Sequence, residues 1–199
     1  MLDDADAALN VWSRRWGVHG EPDATYPGLD LPNNGAVMFH FRSTRFWMRA
    51  FATRILHHQL QLKPDKDPSL EAINADLTIR SAEAAEQACR YLLDIGPIKR
   101  DIARYMADFG FALIAFCAIY VVRIYELYGN SYPVLGSYIG TAEASGKILI
   151  EMAVGNNQIP RIYGEKVLNR LAHAVPRIVP ESVEDDPGKA LQFVRNDLW

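Results

Sequence analysis

Two cysteines in 199 residues, Cys89 and Cys117, cannot build a disulfide framework. Both lie in stretches rich in Ala and other apolar residues, which favours two buried thiols in a reducing compartment over a disulfide. The chain has no excess of positive charge: its formal net charge is −3, which argues against neutralising phosphates as its main task while leaving a local basic face open. The first residues, Met1-Leu2-Asp3-Asp4-Ala5-Asp6, lack the basic start and apolar run of a secretory signal, and no Asn-x-Ser/Thr acceptor occurs, so an intracellular protein is expected.

The chemical motifs are missing too. There is no His-Glu-x-x-His, Cys-x-x-Cys, Gly-x-Ser-x-Gly or Gly-rich phosphate loop. His57 and His58 are adjacent, so on a helix they diverge by about 100° and cannot easily share an ion. The only adjacent aspartates are Asp3-Asp4 and Asp185-Asp186, the latter followed by Pro187-Gly188 instead of more helix. Cys117 sits in an apolar run, where burial raises a thiol's pKa and blunts it. No enzyme, metal or cofactor is expected.

What is present is helix, organised around an apolar stretch at about 102–128. Between Phe109 and Val122 no charge occurs over fourteen residues, a rod of roughly 21 Å against the roughly 30 Å of a bilayer core. A helix apolar on every side and that short has to be wrapped by its own protein, so no membrane is expected. Before it, a short helix starts with Asp3, Asp4 and Asp6, where the helix dipole favours acids, and carries an apolar stripe of Ala8, Leu9, Val11, Trp12 and Trp16. The span from Gly17 to Gly35 has four Gly and three Pro, a loop composition. A helix over 36–62 places Phe41, Trp47, Met48, Phe51 and Ile55 in one arc and Arg42, Arg45 and Arg49 in another, an amphipathic pattern with the arginines read as a solvated face or an anion site. An Ala-rich helix over 70–94 is built for close approach by a neighbour. Helices over 137–154 and 161–175 follow, with Ile139, Ala142, Ile148, Leu149 and Met152, then Ile162, Val167, Leu168, Leu171 and Val175, as inner residues. After an acidic, Pro-bounded segment, 188–199 offers a short terminal helix. The expected fold is all-α, a six- to seven-helix bundle around the buried central helix, divided as 1–35 (helix and loop), 36–178 (helical domain) and 179–199 (linker and short helix).

Tyr105 and Tyr120 bring hydroxyls into apolar surroundings, and buried tyrosines need partners. Arg123 closes the longest apolar run, where an unpaired charge is costly, so it requires a carboxylate from the protein or from a ligand.

Three segments together resemble a known family. Phe39-His40-Phe41-Arg42-Ser43-Thr44-Arg45-Phe46-Trp47-Met48-Arg49-Ala50-Phe51 is followed by Ser81-Ala82-Glu83-Ala84-Ala85-Glu86-Gln87-Ala88-Cys89, then by the aromatic, nearly uncharged helix from Arg104 to Ile124. This order, over about 36–175, resembles the later part of the regulatory (middle homology) domain of fungal transcription factors of the zinc binuclear cluster type. The six-cysteine DNA-binding cluster of that family is not in this chain, so the resemblance implies a C-terminal fragment without direct DNA contact. It further implies a nuclear regulatory domain that controls activation through a small acidic or apolar metabolite or through co-regulator proteins. The expected ligand site is Arg45 and Arg49 at the mouth, with Tyr105, Tyr120 and Arg123 lining it. The competing expectation is a helical interaction scaffold, a homodimer for instance, anchored by Trp12, Trp16 and Trp199.

Overall fold

Alanines 82, 84, 85 and 88 form a face of minimal width on one long helix, and all four are fully buried. Without bulky side chains there, a neighbouring helix approaches closely. In the computed structural model, which describes residues 2–15, 34–62, 68–94, 108–155 and 158–174, that neighbour is the helix before it. The described helices are α1 (Leu2–Arg15), α2 (Asn34–Leu62), α3 (Pro68–Asp94), α4 (Asp108–Tyr128), α5 (Val134–Met152) and α6 (Ile159–Ala174). No strand occurs among the described residues, and the fold is all-α. The chain divides into two compact units, Met1–Met106 and Ala107–Trp199, and the boundary falls inside the 36–178 span read above as one body.

In the first unit α2 and α3 form an antiparallel hairpin whose register is written in side chains reaching across to carbonyls. Arg42 Nη1 donates to Gln87 O at 3.0 Å, Arg49 Nη1 to Arg80 O at 3.1 Å, and Thr53 Oγ1 to Leu77 O at 3.2 Å. As the α2 position advances, its partner on α3 recedes. Phe46 of α2 is fully buried, and the Phe39 and Tyr91 rings meet across the hairpin at 5.1 Å between centroids. α1 lies against α2.

The second unit packs α4, α5 and α6 on one another. α4 buries Gly110, Phe111, Leu113, Ile114, Cys117, Ala118, Val121 and Val122 over about half of its circumference, while Ala112, Phe116 and Ile119 on the other side are half-buried and Phe109, read as part of the buried run, is 66% exposed. It is also, by length and composition, the one helix among the described residues able to cross a membrane, with mean hydropathy 1.8, and 67% of that window is buried in the protein. α5 and α6 meet through glycines: a Cβ on Gly164 would lie 2.5 Å from Gly146 O and 2.8 Å from Ile150 Cγ1. Cys89 and Cys117, one in each unit, are fully buried and form no disulfide.

The helix starts differ from expectation in one consistent way. α3, α5 and α6 begin at or beside Pro68, Pro133 and Pro160, two or three residues earlier than read from the sequence. Proline's missing N–H is no loss in a first turn, where N–H groups have no intrahelical acceptor anyway. Gly129 ends α4 as expected, its N–H bonded to Tyr125 O at 2.7 Å, where a Cβ would collide with the Tyr125 ring at 2.6 Å. Ile162 is 41% exposed although read as inner. The first turns expected of the central helix, the 188–199 helix, Trp16, Val175 and Trp199 lie outside the described residues.

Candidate functional site

The apolar arc expected to face inward on α2 does so only in part: Phe41 is buried and Met48 half-buried, and the rest of the arc is turned out. Trp47, Phe51 and Ile55 are 36%, 58% and 45% exposed, while Arg49 is buried and Arg45 nearly so. The charge is inside because its partners are inside. α1 presents Asp3, Asp6 and Asn10, spaced for one helix face, to the arginines of α2 and α3. It leaves Val11 and Trp12 outward. Of the apolar stripe read from the sequence, Ala8, Val11 and Trp12 are exposed and Leu9 is half-buried.

The Asp6 carboxylate is the centre of this cluster, its side chain 10% exposed. Arg49 donates to Oδ2 through Nη2 at 2.9 Å and Nε at 3.3 Å. Arg80 Nη2 donates to the same oxygen at 3.4 Å. Arg45 Nε stands 3.4 Å from Oδ1, close enough for attraction, yet neither atom completes a hydrogen bond. One oxygen is crowded with donors and the other is left with charge alone. Around this centre, Arg45 also bonds Asn10 and lies over the Phe41 ring at 4.7 Å, Arg80 reaches Asp3 and Asp76, and Glu83 sits 3.7 Å from Arg49. Burial holds the Arg45 guanidinium below the usual arginine value, with Asp6 pulling the other way. The hydrogen bond to Asp3 is the main cause that raises Arg80.

Beside the cluster an open groove of about 530 Å³ is lined by the apolar Ala52, Ile73 and Leu77 together with Asp3, Asp76 and Arg80. Arg80 therefore belongs both to the Asp6 cluster and to a surface an amphiphile can reach. An anionic head group meets Arg80 there only by displacing Asp3, whose side chain is 86% exposed and cheap to move.

In the second unit Arg123 has its carboxylate from the protein. Glu126 lies one turn on, 3.0 Å away, and each side chain is 8% exposed. Arg170 of α6 bonds the same Glu126, and its Nε is buried without a hydrogen-bond partner. Tyr120 is buried on the same helix. Of the expected site residues, then, Arg45 and Arg49 converge on Asp6 in the first unit, Tyr120 and Arg123 stand three residues apart in the second, and Tyr105 lies outside the described residues.

Sequence reasoning missed Asp6 and Arg80. Asp6 was read only as an acid at a helix start. The available signal was charge segregation: α2 has four arginines and no acid in 29 residues, while its neighbours carry Asp3, Asp4, Asp6, Glu71, Asp76, Glu83 and Glu86. Among the described residues no group of three or more His, Cys, Asp or Glu is placed to hold a metal ion. No family model, no curated protein and no solved structure matches this chain.

Proposed function

We propose that the chain is a regulatory module of the kind its segments resemble, the later regulatory domain of a fungal zinc binuclear cluster activator, and that α1 is its moving part. One observation carries the reading: Asp6 of α1 is shared by Arg45, Arg49 and Arg80 while Val11 and Trp12 of α1 are exposed. A helix held by charge exchange instead of apolar burial can be released by a competing anion. A small acidic metabolite with an apolar body, or an acidic segment of a co-regulator, would take the guanidinium groups and the groove in exchange for Asp6 and Asp3. The docked and released states of α1 are then the two states, and the ligand shifts them by binding one better than the other. In the nucleus that change would restrain or free an activation segment.

The test is a reporter experiment. The chain is fused between a heterologous DNA-binding domain and an activation segment, and Asp6→Asn is compared with the unaltered fusion at equal abundance. Reporter output should differ several-fold between the two. Equal output from both discards the module as a regulator acting through α1.

A further inference from the structure

We propose, resting on the regulatory reading above, that the groove beside the Asp6 cluster takes a zwitterion: a free amino acid with an aliphatic side chain, its carboxylate on Arg80 and its ammonium on Asp76. That reading asks only for an anion with an apolar body, and the charges lining the groove ask for more.

Of the described residues that line it, three are charged: Asp3 and Asp76 are negative, and Arg80 is positive. Arg80 Nη2 stands 3.1 Å from Asp3 Oδ1, and Arg80 Nη1 3.5 Å from Asp76 Oδ2. A simple anion that draws Arg80 away from Asp3 leaves both carboxylates beside it, a like-charge arrangement that offsets its own gain. A simple cation pairs with either aspartate but lies against the guanidinium. A molecule with both signs on neighbouring atoms meets both demands. Its carboxylate takes the planar fork of Arg80, and its ammonium neutralises Asp76.

Asp76 and Arg80 are one turn apart on α3, so a single helix presents both charges and holds the ligand without help from α1. Their side chains are 65% and 31% exposed, and the pair opens to admit a guest at little cost. Among the described residues the apolar lining, Ala52, Ile73 and Leu77 included, is aliphatic, which suits an aliphatic side chain. The volume of about 530 Å³ lies in the roughly 300–1,000 Å³ range of small-molecule sites. The consequence falls on α1. The ligand takes Arg80 Nη2 from Asp3 and weakens its 3.4 Å contact with Asp6 Oδ2, two of the links that fasten that helix.

The whole chain is titrated in a calorimeter with free leucine, with 4-methylpentanoate, which lacks the ammonium, and with isopentylamine, which lacks the carboxylate. Leucine should bind with a Kd on the order of 1 mM and at least about fivefold tighter than either analogue. Asp76→Asn should erase the difference between leucine and 4-methylpentanoate. Asp3→Asn, which removes the competitor for Arg80, should bind leucine no more weakly than the unaltered chain. Both positions are mostly exposed, so both variants should fold. Either analogue binding as tightly as leucine, an undiminished difference in Asp76→Asn, or no binding of leucine up to about 20 mM overturns the proposal. The regulatory reading is scored apart, by hydrogen exchange in α1. If 4-methylpentanoate binds as tightly as leucine and raises that exchange, the reading stands and the zwitterion is discarded. If leucine binds as expected and α1 exchange is unmoved, the zwitterion stands and the reading is discarded.

Discussion

Replacing Asp6 with Asn keeps the shape of the side chain and removes the one charge that three guanidinium groups share. Deleting one partner of a buried ion pair costs about 3–5 kcal/mol, mostly because the other partner remains buried and uncompensated. Here the penalty is reduced. Arg80 keeps Asp3 and Asp76, and Arg49 keeps Glu83 at 3.7 Å. Arg45 is left with Asn10 and the Phe41 ring. A net cost of about 3 kcal/mol, or about two powers of ten in an equilibrium constant, follows. The apolar anchoring of α1 is small: Leu2 and Leu9 are only half-buried, together contributing about 2 kcal/mol, and a free helix of this length is marginal in water. The loss should therefore be local. Hydrogen exchange should rise about a hundredfold in amides of α1, while the buried stretches of α2 and α3 keep their protection. Asp3→Asn, at a mostly exposed carboxylate, should change α1 exchange less than about fivefold. Unaltered exchange in α1, or an equal loss throughout α2 and α3, would refute the idea that Asp6 specifically fastens α1.

Two further outcomes concern the second unit. Gly164→Ala places a Cβ 2.5 Å from Gly146 O and forces α5 and α6 apart, so denaturant unfolding should show a loss of about 1–3 kcal/mol; Gly140→Ala, in the same unit with nothing near its Cβ, should gain about 0.5–1 kcal/mol from helix propensity alone. Burial, with Tyr132 adding to it, raises the Tyr128 hydroxyl above its ordinary 10.0, so the folded state holds that proton more tightly than the unfolded chain does. Its contribution to stability is intact below about pH 10 and is lost as pH rises through the raised value, and Tyr128→Phe should flatten the alkaline arm of a stability-against-pH curve.

The helices were legible where one physical rule was enough. Fourteen uncharged residues followed by Gly129-Asn130-Ser131 gave a buried helix with its end in place. The alanines of α3 gave the close face. The starts read from the sequence fall two or three residues late at Pro68, Pro133 and Pro160, because proline stops a helix from its interior yet opens one from its first turn. Ile162 was assigned inward by spacing alone, and spacing defines an arc without saying how wide the neighbour covering it is.

The site was harder to read for a more general reason. Periodicity shows that a helix has two faces; it does not show which one is inside. For α2 the ordinary assumption, apolar in and arginine out, supposes that the alternative leaves buried charge unpaired. That supposition concerns other segments, and here it fails. Asp6 comes from a helix more than thirty residues earlier, and the carbonyls of Arg80 and Gln87 from one more than thirty residues later. Once those partners are counted, burying Arg49 leaves no uncompensated charge. Charge composition taken helix by helix therefore contains information that the moment of each helix lacks: an arginine-bearing helix without a single acid, between two helices rich in them, has its partners already supplied. The outward turn of Trp47, Phe51 and Ile55 follows from that inward pairing, because one helix cannot present both arcs to the same neighbours.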